Sequence, residues 1–302
     1  MALDGLTKRY GKRVAVDRLT LEIPTGVVAG FVGPNGAGKT TTMAMLLGLV
    51  RPTGGTGSVL GQPLERPRGY LNRVGALIEG PAFYPGLTGM ENLEVLATLG
   101  GHDPAGIPEV LELVGLERRA EDQFREYSMG MKQRLGIAAA LLGQPDLLIL
   151  DEPANGLDPA GIHEMRGLIA TLGQATRTVL VSSHILSELE QICDWLVVID
   201  QGSLVYHGPA AEFLSEAPTM VSLVPEHDAD LDRLRGLVLA MGHQLDRADG
   251  EVVVHADDED PRKLAAALNR AAVGEGIVLA GLHARRSNLE SHYLSVIRGG
   301  DR

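Results

Sequence analysis

The sequence predicts an α/β protein built on a mainly parallel sheet with helices on both faces, followed by a small α+β module. Three observations carry this. Val27 to Val32 and Leu147 to Leu150 are short unbroken apolar runs, as in strands covered on both faces, and Thr178 to Ser182 and Trp195 to Ile199 share that character. Between these runs lie helical stretches with readable starts, and strands alternating with helices imply a parallel sheet. After Phe213 the texture changes, and no earlier motif returns.

Val14, Val16, Leu19, Leu21 and Ile23 mostly alternate with polar neighbours, which predicts a half-buried antiparallel strand. The run ending at Val32 leads into a glycine-rich loop, and Thr41 to Leu49 follows as an apolar helical stretch. Val74 to Ile78 reads as a further strand. Thr88 with Glu91 forms a capping box, and Asp158 followed by Pro159 is an N-cap with a first-turn proline. These elements place a first domain over residues 1–215 and a second over 216–302. In the second, Thr219 to Val224 predicts a strand, Asp230 to Ala240 a helix, and His243 to Arg247 and Glu251 to His255 two strands turned at Ala248 to Gly250. Pro261 to Ala272 then predicts a helix and Ile277 to Leu282 a strand, giving the βαββαβ order of a split βαβ fold. The acidic run Asp257 to Asp260 reads as a solvated lead-in to that helix rather than a metal site.

At 302 residues, 44% hydrophobic and 22% charged, the chain has the composition of a folded protein and the length for one large domain plus a small one. Its net charge of -12 argues against a sequence-independent grip on nucleic acid, because no basic excess is there to displace phosphate counterions. One cysteine, Cys193, excludes an internal disulfide and any multi-cysteine metal cluster, which suits a reducing cytosol. No apolar stretch reaches the roughly 18 residues that span a bilayer, and the N-terminal segment lacks the apolar core of a signal peptide. Any path across a membrane is expected to come from another protein.

The chemistry gathers in three blocks. GPNGAGKT, Gly33 to Thr40, fits GxxxxGK[ST]. Gly33, Gly36 and Gly38 free the backbone to turn its N–H groups around phosphates, Lys39 places a charge on them, and the Thr40 hydroxyl is suited to Mg²⁺. LLILDE, Leu147 to Glu152, sets Asp151 and Glu152 at the carboxyl end of a buried strand, the edge where open α/β sheets bind ligands. In YSMGMKQR, Tyr127 to Arg134, Ser128 is a good N-cap and Gly130 permits close approach, so the helix start can face an anion.

In this order and at this spacing, the blocks resemble the ATP-binding subunit of an ABC transporter, over about Tyr10 to His207. The resemblance implies a P-loop NTPase fold with a helical signature subdomain and an antiparallel β part, and the βαββαβ module completes it as a ferredoxin-like domain. It implies ATP and Mg²⁺ as cofactors. The nucleotide-binding set is then Gly33, Pro34, Asn35, Gly36, Ala37, Gly38, Lys39, Thr40 and Thr41, with Tyr10 stacking on adenine. Thr40, Glu79 and Asp151 serve the metal, Glu152 polarises the attacking water, and His184 bonds the γ-phosphate and orients that water. Ser128 and Gly130 meet the phosphate held by the opposite subunit of a homodimer, and Asp158 touches that partner. Tyr127, Met129 and Met131 stand where the family has Leu, Gly and Gln, so the polar contacts of that glutamine are in doubt.

Glu79 replaces the usual glutamine, and the stretch Ile78 to Leu93 resembles the bacitracin and lantibiotic self-protection exporters, with Phe83 to Asn92 facing the permease. Leu289 to Leu294 resembles a tail of drug-exporter ATPases. The implied function is ATP hydrolysis that energises a separate integral membrane permease from its cytoplasmic face, for export of a peptide antibiotic or hydrophobic drug. Alternatives are a soluble ABC ATPase acting on ribosomes or nucleic acid, and a non-catalytic regulatory subunit. The single uninterrupted cassette argues against the first, and intact Lys39, Asp151, Glu152 and His184 against the second.

Overall fold

A computed structural model of the chain describes residues 1–173, 177–185, 189–215, 219–248, 250–256, 260–286 and 293. The chain divides into two units, Met1–Glu212 and Phe213–Arg302. The first runs β1 (Ala2–Tyr10), β2 (Arg13–Glu22), β3 (Val28–Val32), α1 (Lys39–Leu46), β4 (Gly54–Val59), β5 (Gln62–Pro63), β6 (Val74–Leu77) and α2 (Gly89–Gly100). It continues with α3 (Ile107–Leu113), α4 (Met129–Leu141), β7 (Leu147–Leu150), α5 (Pro159–Gly173), β8 (Thr178–Ser183), β9 (Trp195–Asp200) and β10 (Ser203–Pro209). The helix α6 (Ala210–Ser215) carries the chain across the division.

The predicted central sheet is six-stranded, in the order β10-β9-β3-β8-β7-β6. Every pair in it is parallel except β10 with β9. All residues of β3, β7 and β8 are buried, which is why those segments read as unbroken runs without alternation. A second, antiparallel sheet has the order β2-β1-β4-β5. Here the structure adds what the sequence hid. Tyr10, expected ahead of the first strands, ends β1, whose register shifts at Leu3/Leu6 and again at Leu6/Lys8, so bulges erase its period-two pattern. β4, GGTGSV, has almost no side chains to pattern. One core joins both sheets through α1, with Leu6, Leu19, Phe31, Met43, Leu46, Ile149 and Leu180 all buried in it.

The helices α2, α3 and α4 form the part of the first unit that carries the signature block. The Thr88 capping box is present: Thr88 Oγ1 accepts from Glu91 N at 3.1 Å, and Glu91 Oε2 accepts from Thr88 N at 2.7 Å. α4 lies close on β6, and a Cβ added at Gly136 would stand 2.8 Å from Leu77 Cδ1.

The second unit contains β11 (Thr219–Pro225), α7 (Leu231–Ala240), β12 (Leu245–Ala248), β13 (Glu251–His255), α8 (Pro261–Gly274) and β14 (Leu279–Arg286). Its sheet has the order β12-β13-β11-β14 with every pair antiparallel. Val221, Leu223, Val252 and Val254 are buried against Leu234, Val238, Leu264 and Leu268 of the two helices. Asp260 caps α8, accepting from Arg262 N at 2.9 Å, while the rest of the acidic run lies outside the described residues. So do residue 249 of the expected turn and, apart from Tyr293, the tail from Leu289 to Leu294. Among the described residues no helix is long and apolar enough to cross a membrane.

Candidate functional site

The loop after β3 turns back on the sheet before α1 begins, and two of its glycines are demanded by that packing. A Cβ on Gly33 would stand 2.3 Å from Ile199 O, and one on Gly38, at φ 103°, would stand 2.5 Å from Ala15 O. Gly36 differs: its φ is 84°, and the nearest atom to a Cβ there is Arg13 Nη2 at 3.7 Å. Gly36 therefore answers to backbone conformation and to approach from the open side. Ala37 is buried, and its N–H donates to Pro34 O at 3.1 Å, closing the turn.

Lys39 is buried, and its Nζ donates to Gly33 O at 2.7 Å and pairs with Glu152 Oε1 at 3.1 Å. The other oxygen of Glu152 meets His184 Nδ1 at 2.7 Å. Thr40 Oγ1 donates to Asp151 Oδ2 at 2.7 Å. Lys39, Thr40, Asp151, Glu152 and His184, dispersed over 146 positions of sequence, thus form one connected cluster at the carboxyl ends of β3, β7 and β8. A cleft of about 370 Å³ opens on it, lined by Tyr10, Pro34, Asn35, Gly36, Gly38, Lys39, Thr40, Thr41, Glu152 and His184. Tyr10 is half exposed, and Lys8 Nζ lies 4.9 Å from the centroid of its ring.

Glu79 is two residues past β6, at φ 57°, in the left-handed region that disfavours an L side chain. It lines an adjoining cleft of about 580 Å³ together with Asp151 and Glu152. Ser128, Gly130 and Asp158 do not line the Lys39 cleft. Ser128 Oγ accepts from Met131 N at 3.3 Å as the N-cap of α4, and Gly130 has no atom closer than 3.7 Å to a Cβ built on it. Asp158 Oδ1 accepts from Gly161 N at 2.9 Å, its capping role. Tyr127, at the family's leucine position, is buried and donates to Arg119 O at 2.7 Å; burial and nearby Asp122 push its phenol pKa up.

Three residues of the site escaped sequence reasoning. Arg13 lines the Lys39 cleft and is the cross-strand partner of Tyr10. Asn155 lines both clefts. Ser182 is fully buried, donates to Asp151 Oδ1 at 2.6 Å and accepts from Glu152 N at 2.9 Å. The available signal was a buried apolar strand that turns polar at Ser182 and Ser183 just before His184.

The chain is similar to known proteins along most of its length. A profile of the ABC transporter family matches residues 16–155. A bacitracin transport ATP-binding protein from Enterococcus faecalis is 38% identical over 98% of this chain and 96% of its own length. The chain belongs to the ABC transporter ATP-binding family. A lantibiotic transport ATP-binding protein from Streptococcus pyogenes is 42% identical over 68% of this chain and 89% of its own. A solved ATP-binding subunit of an ABC transporter is 31% identical, with a TM-score of 0.62 over 71% of this chain and 92% of that one. This chain is an ABC ATPase, and its ATP hydrolysis is coupled to transport.

Proposed function

We propose that this ABC ATPase pairs with a second copy, docks on the cytoplasmic face of a separate membrane permease, and drives export of a peptide antibiotic of the bacitracin type. The observation that supports the substrate class is coverage. The bacitracin relative matches 98% of the chain, second unit included, whereas the lantibiotic relative and the solved cassette match 68% and 71% of it.

The residues divide the reaction among them. The Lys39 ammonium has three donors and holds the triphosphate oxygens as a point charge, and the α1 N-terminus adds its backbone N–H groups. Tyr10 stacks on the base. Glu152 accepts the proton of the attacking water as the new O–P bond forms and the β–γ bridging oxygen leaves with ADP. His184, already bonded to the same carboxylate, holds it in place. The donor set fits Mg²⁺: Thr40 and Asp151 offer hard oxygens, with Glu79 beside them. No trio of His, Cys, Asp or Glu among the described residues would hold a metal alone, which suits an ion that keeps most of its waters and arrives on phosphate. When bound, Mg²⁺ neutralises charge on the β- and γ-phosphates. Ser128 and Gly130, absent from the Lys39 cleft of their own subunit, serve the nucleotide of a second copy in this reading.

Expression with its permease in a bacitracin-sensitive host tests this reading. The wild type should raise the inhibitory concentration of bacitracin, Lys39→Ala should abolish the gain, and a lantibiotic should show a smaller one. No gain with either peptide would remove the substrate assignment, and ATPase activity strictly linear in protein concentration would remove the paired site.

A further inference from the structure

Ser182 ties the two acidic residues of the site together. It sits in β8 at 0% exposure, between the carboxylate of Asp151 and the backbone of Glu152. A hydroxyl has one proton and a backbone N–H can only donate, so the sense of both bonds is fixed: the Ser182 proton points to Asp151 Oδ1, and its lone pair receives Glu152 N–H. Asp151 Oδ1 is thereby an engaged acceptor. Its other oxygen, Oδ2, faces the Thr40 hydroxyl at 2.7 Å. Glu152 stands at φ 48°, a conformation that L side chains rarely adopt and that needs support from outside the residue. The Ser182 oxygen gives that support.

We infer that Ser182 is a positioning residue for hydrolysis. It commits Asp151 Oδ1 to the protein, so that Oδ2 and Thr40 Oγ1 are the oxygens turned toward a nucleotide-bound divalent cation. It also holds the Glu152 backbone where its carboxylate reaches both His184 and Lys39. The inference rests on the roles assigned above to Asp151 and Glu152. Packing alone does not call for a serine here, because Val179, Leu180 and Val181 already fill the core along β8.

The test uses the full-length protein with Ser182→Ala and Ser182→Thr. Affinity for a fluorescent ATP analogue is measured with Mg²⁺ and with EDTA, beside kcat and KM for ATP. Groups that orient metal ligands typically contribute about 10- to 100-fold in metal affinity or activity. Ser182→Ala should lose about that factor in kcat and in the gain in affinity that Mg²⁺ brings, while affinity in EDTA stays within about 2-fold of wild type. Ser182→Thr, which keeps the hydroxyl, should recover most of both; if the alanine variant does not fold, Ser182→Cys, close in volume but a weak donor, takes its place with the same expectation. Wild-type kcat and an unchanged Mg²⁺ effect in the hydroxyl-free variant would overturn the inference, as would an equal loss of affinity in EDTA, which marks general collapse. Asp151→Asn and Glu152→Gln run in parallel separate the levels: if they are impaired and Ser182→Ala is not, the positioning role fails and the site assignment stands. If they are not impaired, the assignment itself fails.

Discussion

Glu152 is held at both carboxylate oxygens and at its backbone. One oxygen meets Lys39 Nζ at 3.1 Å, the other meets His184 Nδ1 at 2.7 Å, and its backbone is held in the left-handed region. Glu152→Gln keeps the shape and removes the charge, so the attacking water of the proposed reaction loses its proton acceptor while Tyr10 and the glycine loop remain. A positioned base contributes about 10² to 10⁴ in rate, and kcat should fall by that factor with ATP affinity retained. Stopped turnover with tight binding of a fluorescent ATP analogue checks it; near-normal turnover would take Glu152 out of the reaction. Much of this site was legible because GKT and the adjacent acids after a buried strand are local patterns whose chemistry depends on few neighbours. Ser182 was not legible, because its meaning comes from a contact with Asp151, 31 positions away, that only the pairing of β7 with β8 creates.

Elements show the same division. α2 was readable from its start, since Thr88 and Glu91 satisfy each other's backbone donors within one turn. What stands before that start was not. Asn92 is buried in the first turn of α2, and its Oδ1 accepts from Tyr84 N at 2.8 Å while Nδ2 donates to Thr88 O at 2.8 Å and Tyr84 O at 3.1 Å. One amide therefore folds the Phe83 to Thr88 segment onto the helix that follows. That segment belongs to the stretch Phe83 to Asn92 proposed to face the permease, and Tyr84 in it is 60% exposed. Asn92→Ala leaves Tyr84 N without its side-chain partner, at a cost of about 1–3 kcal/mol, whereas Thr88→Ala removes a cap worth about 1 kcal/mol. Both act outside the Lys39 cleft. Urea unfolding should rank them in that order, with basal ATPase of the isolated subunit close to wild type and permease-stimulated ATPase reduced most in Asn92→Ala. Equal stimulation in all three proteins would separate this segment from coupling. β1 and β4 stayed hidden for the opposite reason to α2, since bulges in one and glycines in the other leave no periodic signal.

For the molecule as a whole, the division into two units gives a way to follow one of them alone. The chain's one cysteine, Cys193, and its one tryptophan, Trp195, both belong to the first unit. Cys193 Sγ lies beside the central strand, 2.9 Å from where a Cβ on Gly30 would stand, and burial with nearby Asp194 pushes its thiol pKa up to about 12 from an ordinary 9.0. The folded protein thus keeps the proton over a range in which the unfolded chain has lost it. Because the folded state binds more protons there, its stability is full below pH 9.0 and falls as pH rises toward about 12. At neutral pH the thiol is protonated and shielded, so an alkylating reagent should label it slowly in the native protein. In urea, labelling should appear together with the change in Trp195 fluorescence, and the midpoint shared by the two signals should move to lower urea as the buffer is raised from pH 8 to pH 10. Rapid labelling under native conditions, or a midpoint indifferent to pH, would show that the thiol is not held against Gly30.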